Sequence, residues 1–319
     1  MEAESDVYFK SRKQRVSRER TMKGAYEKIS PTAKFVAYLR TFSNIPFAKE
    51  ISEESGAERT YQELAGESKE SLIRFSPYWE ARYKATDRII MQRGITQILE
   101  VAAGLSPRGL AMTTNPDVIY AATDLPEILE QEKAMAEAIL SRLNSSRPNL
   151  HFETANALDL ESLLRASSIF TADRPLAIIT EGLLPYFNRE EEAILAKNIR
   201  DILSRYHGVW ITSDVHTKQY REMASRLDGN LRQRQDRISS STGSNIESNL
   251  FMDENEVQEF FHKAGFQIEE YPYSNITHDL TSLRNNVFLE LTQKDVERML
   301  ELLSLSRTLI LVPRTTFSR

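Results

Sequence analysis

Asp124 closes the apolar run VIYAATD, and Gly104 sits in the small-residue turn EVAAGL that ends the run before it. An acid at the end of a second strand accepts two hydrogen bonds from vicinal ribose hydroxyls, a charge-assisted contact that suits adenosine cofactors. Asp124 also precedes Leu-Pro, so an N-cap for the next helix, with proline in its first turn, is the competing reading. A dinucleotide fingerprint requires three glycines at fixed offsets, whereas Ala102 and Ala103 lead into a lone Gly104, which disfavours a nicotinamide cofactor. The chain has no cysteine and five histidines. Disulfides, thiolate metal sites and a cysteine nucleophile are excluded, and little is left for zinc, so no metal is expected.

These residues need a frame to hold them. From Ile95 onward, short apolar runs alternate with helical stretches: ITQILEVA, VIYAATD, LHFETANA, PLAIITEG and GVWITSDV. Five such runs predict an α/β fold, a Rossmann-like, doubly wound and mostly parallel seven-stranded sheet with right-handed crossovers. DENEVQEFFHKAGF predicts a helix with Asp253 as N-cap, Glu256 three residues on and Gly265 just past its end. QIEEYPY is the sixth strand. The seventh is NVFLELT or TLILVPR, and TLILVPR is preferred because ERMLELLSL before it reads as a helix. Residues 1–90 are strand-poor, with Phe35, Val36, Leu39, Leu72, Ile73, Tyr83, Ile89 and Ile90 at helical spacing. They predict an N-terminal helical cap on a domain spanning 91–319. The polar stretch 218–249 reads as a lid insertion after strand five, with a flexible tip at SSSTGSNIESN.

Taken in order, ISPTAKFVAYLR, IPFAKEI, ARYKATD, EVAAGLSPRG, ATDLPE and TEGLLPYF resemble the leucine carboxyl methyltransferase family and its bacterial relatives that methylate polyketide and other small carboxylic or hydroxyl acceptors. The resemblance implies a class I methyltransferase that uses S-adenosyl-L-methionine. It further implies that Arg82 pairs with the cofactor's methionine carboxylate, a planar anion suited to a guanidinium. By the same resemblance Gly104, after Ala102, lies under the methionine part, and Glu100 is the acid near the end of the first strand. Asp124, with Leu125 beside it, meets the ribose. Asn156, Ala157 and Leu158 face the adenine, and Glu181 stands near the amino group and the transfer site. The chain departs from the family where Ser106 replaces a frequent Asp, and where Asn156 and Ala157 replace another. Arg108 reads as structural.

Methyl transfer from a sulfonium is an in-line displacement, and a carboxylate acceptor is already ionised at neutral pH and needs no general base. A hydroxyl acceptor would benefit from one. His216, in ITSDVHT, is the best-placed candidate, against the alternative of a loop or capping residue. Tyr186, in LLPYF, either lines the acceptor pocket or belongs to the core.

The net charge of −5 argues against a surface built for nucleic acid or anionic membrane, and no stretch has the apolar length of a membrane span. With no signal-like apolar segment at the N-terminus, a cytoplasmic protein is the expectation. Two basic runs remain. Lys10 to Lys28 holds eight Lys or Arg, and Lys218 to Arg237 holds Lys218, Arg221, Arg226, Arg232, Arg234 and Arg237. Both read as solvated helical faces, or the second as a lid selecting an anionic acceptor: a small acid, a carrier-bound intermediate or a protein C-terminus. The expected activity is O-methylation of such an acceptor. A tRNA-directed methyltransferase and a cofactor-binding module without turnover are the alternatives.

Overall fold

The computed structural model describes residues 31–60, 73–227, 246–284 and 291–314. The Lys10–Lys28 run, most of the 218–249 insertion and the greater part of NVFLELT lie outside them. Seven strands form one sheet: β1 (Gln97–Val101), β2 (Ile119–Asp124), β3 (Leu150–Thr154), β4 (Leu176–Thr180), β5 (Val209–Thr212), β6 (Phe266–Pro272) and β7 (Arg307–Pro313). Their order is β3-β2-β1-β4-β5-β7-β6. The first five pair in parallel, while β7 runs antiparallel to both β5 and β6. The strand TLILVPR is therefore the seventh, as its sequence predicts.

Burial explains why these runs lack alternation. Every residue of β1, β4 and β5 is buried, because helices cover both faces of the central parallel strands. The described helices are α1 (Pro31–Arg40), α2 (Ala48–Ser55), α3 (Ser76–Gln92), α4 (Arg108–Met112), α5 (Pro126–Arg142), α6 (Leu160–Ala166), α7 (Arg189–Leu203), α8 (Lys218–Leu227), α9 (Glu254–Lys263) and α10 (Gln293–Leu305). One core forms around Trp210, Phe261 and Phe266, with Ile178, Leu195 and Ile199. Another lies on Ile98, Tyr120, Ile179 and Ile211. A third joins the helices before the sheet to α5: Leu39 of α1 and Ile51 of α2 share it with Ile128, Ala136 and Ile139.

Local chemistry sets the ends of the elements. Asp253 accepts from the Glu256 amide at 3.0 Å to cap α9, and Gly265 follows with φ of 90°, a left-handed residue at the helix end. In α5 the N-cap is Leu125, extended and without a side-chain cap, with Pro126 next. Asp124 is thus one residue too early to cap that helix.

The chain leaves the sheet after β5 and returns before α9 at a single place. Thr217 and Phe251 form an isolated bridge, Lys218 N–H donates to the Phe251 carbonyl at 2.7 Å, and Phe251 N–H donates to the His216 carbonyl at 3.2 Å. Arg189, at the start of α7, lies over the Phe251 ring 3.4 Å from its centroid and clamps this clasp from the other side.

Candidate active site

The carboxyl ends of β1, β2, β4 and β5 bring most of the sequence-predicted residues to one edge of the sheet. At the end of β2 the Asp124 carboxyl accepts from the Gly104 amide at 3.2 Å and from the Leu125 amide at 2.8 Å. Gly104 has φ of 56°, and a Cβ built there would meet no atom within 4 Å, so this stretch of backbone is open to a ligand. Ala102, two residues earlier, also has φ of 56°, a left-handed geometry that costs a residue with a Cβ about 1–2 kcal/mol. The small-residue turn was legible in the sequence, but the requirement for left-handed backbone at Ala102 was not.

Beyond β3, Asn156 is exposed, and its Oδ1 accepts from the Leu158 amide at 3.0 Å. Ala157 is buried, with its carbonyl accepting from Asn198 at 3.2 Å. This short turn sits beside Asp124, whose carbonyl accepts from the Ala155 amide at 3.0 Å.

On the other side of β1 stands an ionic cluster. Glu181, just past β4, takes bonds from Arg40 and from Arg108 at 2.9 Å, and Arg82 Nε approaches it to 3.5 Å. These three guanidiniums hold the Glu181 carboxyl down at about 2 against the opposing effect of burial. Arg108, fully buried, also pairs with Glu100 and Asp87, each at 2.8 Å. Glu100 in turn accepts from the Tyr120 hydroxyl, so both of its oxygens are engaged beneath the turn. Arg82 donates to Asp214 at 2.6 Å, and the same Asp214 carboxyl accepts the amides of Gly182, Leu183 and Leu184 at 2.7 to 3.2 Å. Arg40 and Asp214 were not singled out in the sequence. Asp214 bears the mark that drew attention to Asp124, an acid closing a buried strand, whereas Arg40 at the end of a helix carries no comparable signal.

The remaining two candidates lie at the outer rim. The Tyr186 hydroxyl and Thr32 Oγ1 are 2.8 Å apart, which ties α1 to the segment after β4. His216 stacks on Tyr220 with centroids 5.0 Å apart and planes 12° from parallel. Burial, with Arg221 and Arg82 nearby, pushes its imidazole down to about 3, so the ring is neutral at physiological pH.

The leucine carboxyl methyltransferase family model matches residues 37–200, about half of the chain, and covers the turn, Asp124 and the Glu181 cluster. The chain belongs to the leucine carboxyl methyltransferase family. S-adenosylmethionine is the cofactor of this family member, and the residues at the strand ends fit it. Gly104 leaves an open backbone cradle, Asp124 presents a carboxylate at the strand end, and Arg82 Nε is a buried donor without a hydrogen bond. A protein of Mycobacteroides abscessus assigned to the S-adenosyl-L-methionine-dependent methyltransferases is 29% identical over 131 residues, covering 40% of this chain and 41% of that protein. One from Mycobacterium ulcerans with the same assignment is 32% identical over 114 residues, 34% of each chain. The matched stretch thus spans about two fifths or less of these relatives.

Family membership accords with the overall shape. A DUF574-family protein from Streptomyces avermitilis superposes with a TM-score of 0.52 at 14% identity, covering 92% of this chain and 99% of that one. A protein from Thermobifida fusca assigned as a methyltransferase gives 0.52 at 16% identity, with 91% and 96% covered. Both share the fold of this family member. No helix among the described residues is long and apolar enough to cross a membrane, and no group of three or more His, Asp or Glu among them could hold a metal ion.

Proposed function

We propose that the protein is an S-adenosylmethionine-dependent O-methyltransferase whose acceptor oxygen belongs to a carboxylate of a small molecule or of a carrier- or protein-bound group. The observation that carries cofactor use is the Asp124 carboxylate, fixed by the Gly104 and Leu125 amides beside an open backbone cradle. The bound cofactor supplies an electrophilic methyl group on a sulfonium. The chain's own residues supply alignment: Arg82 for the methionine carboxylate, Asp124 for the ribose, the turn at Asn156 for the adenine and Glu181 for the amino group.

The rim favours a carboxylate over a hydroxyl acceptor. An imidazole held down at about 3 is a poor base at neutral pH, so His216 does little for an un-ionised hydroxyl, whereas a carboxylate needs no base. Arg221, the residue after Tyr220 on α8, is pushed down by burial, with Tyr220, Tyr78 and the Glu247 carboxylate opposing that effect. An acceptor anion would compensate that charge. Tyr186 lines the approach from the α1 side.

Isotope-labelled cofactor incubated with a panel of carboxylic acids tests the reading. The expected product is a methyl ester that releases labelled methanol in alkali. Label stable to alkali would move the acceptor to a hydroxyl. Micromolar binding of NAD without any binding of S-adenosylhomocysteine would overturn the cofactor assignment.

A further inference from the structure

Glu132 projects from the second turn of α5 toward the same strand end as Asp124, and no site role has been given to it so far. Its side chain is almost wholly buried, with 6% exposure against 7% for Asp124. It lines a cavity with Gly104, Ile51, Leu110, Met135 and Phe152, so an acid stands in a largely apolar wall. The carboxyls of Glu132 and Asp124 are within hydrogen-bonding reach of each other. Among the described residues, the groups that act most strongly on the pair are the Gly104 and Leu125 amides and the Glu100 carboxyl.

Two ionised carboxylates in that setting would repel each other in a medium that solvates neither. Their geometry calls for a proton. Glu132 Oε1 is buried without a hydrogen-bond partner, and the neighbouring Asp124 oxygens already accept two backbone amides. A proton on Glu132 gives the pair the one donor it lacks, leaving the charge on Asp124, where the amides stabilise it. Burial pushes both carboxyls up, Glu132 much further than Asp124, in keeping with this division of roles.

We propose that Glu132 is a positioning residue of the cofactor site, a carboxylic acid whose O–H donates to Asp124 and holds that carboxylate in the orientation that receives the two ribose hydroxyls. The inference rests on the reading of Asp124 as the ribose acid. Glu132 acts through Asp124 and does not itself touch the reacting atoms.

Calorimetric titration of S-adenosylhomocysteine between pH 6 and 9 tests this, using the full chain and the variants Glu132→Gln, Glu132→Ala and Asp124→Asn. Glu132→Gln keeps a donor in place and is expected to bind within about threefold of wild type at pH 7, while Glu132→Ala binds about tenfold more weakly. Wild-type affinity is expected to weaken with rising pH as Glu132 gives up its proton, and the Gln variant to show a flat profile. Infrared spectra of the ligand-free protein should contain a protonated-carboxyl stretch that Glu132→Gln lacks, a readout that holds even if Glu132→Ala fails to fold. Wild-type affinity in Glu132→Ala, or identical pH profiles and spectra for wild type and Glu132→Gln, overturns the proposal alone. Undiminished binding by Asp124→Asn overturns the ribose reading and the proposal with it.

Discussion

On the β2 side of β1, Asp124 and Glu132 stand together as two buried acids; on the β4 side, Arg40, Arg82 and Arg108 surround Glu181, with Asp214 and Glu100 as further carboxylate partners. Both regions are buried, both lie at strand ends, and both are built of ionisable groups. They differ in what is left without a partner. On the arginine side the Glu181 carboxyl is held down by three guanidiniums and both Glu100 oxygens are engaged, while Arg40 Nε and Arg82 Nε have no hydrogen bond. On the acid side the atom without a partner is a carboxyl oxygen, Glu132 Oε1. Buried ionisable groups are thus better read by which atoms lack partners than by how densely they cluster.

Removing a centre from each side separates them most sharply. Glu181→Ala strips the shared counter-ion from three guanidiniums and is expected to cost about 3–5 kcal/mol of stability, read as a fall in denaturant midpoint with unchanged slope. Asp124→Asn is expected to leave that midpoint nearly unmoved and to weaken S-adenosylhomocysteine binding by about 1.5–3 kcal/mol in calorimetry. Equal stability losses would dissolve the distinction between the two regions.

Titration gives a finer test, because Glu181 and Glu132 respond to pH with opposite signs. Glu181 is lowered to about 2, so its contribution is present above the ordinary glutamate range and is lost as the pH falls from there toward 2. The advantage of wild type over Glu181→Gln should shrink over that window by about 1.4 kcal/mol per pH unit. Glu132 is raised, so the folded state binds more protons than the unfolded chain above the ordinary glutamate range, and stability declines as pH rises through it. Glu132→Gln should therefore gain on wild type with increasing pH in chemical denaturation. Parallel profiles for the two Gln variants would show that the sides share one electrostatic environment.

The smallest expected effect lies in the turn between the two regions. Ala102→Gly relieves left-handed strain and raises unfolded-state entropy, a net gain of about 0.5–1 kcal/mol in stability, with cofactor affinity unchanged. A loss of stability would mean that the Ala102 methyl group packs better than the strain it causes.

Much of this was legible in the sequence, for definable reasons. Strand runs such as LAIIT are continuous because both faces are covered, so five parallel strands and the segment forming the seventh could be read from local pattern, while the antiparallel sense of β7 could not. Asp124 was legible because a single strand positions it, although its competition with helix capping was settled only by Leu125 occupying the N-cap. Arg40 and Asp214 were not, since they meet Glu181 and Arg82 through tertiary packing that no spacing encodes. Glu132 escaped for a related reason: inside an amphipathic, acid-rich helix, the one buried acid looks like its solvated neighbours Glu127 and Glu130. Among the expected residues, Glu100 lies in the closed network beneath the turn, with its bonds to Arg108 and Tyr120 already made.

The clasp between Thr217 and Phe251 uncouples the length of the chain between them from the positions of the strands on either side. Because the backbone departs and returns through the same pair of hydrogen bonds, the strands before and after it are held at fixed positions whatever length of chain is spliced between them. Closing a longer excursion costs only about 0.6 kcal/mol for each doubling. A segment of different length spliced in at this point would thus leave the sheet and its strand ends in place at little entropic cost.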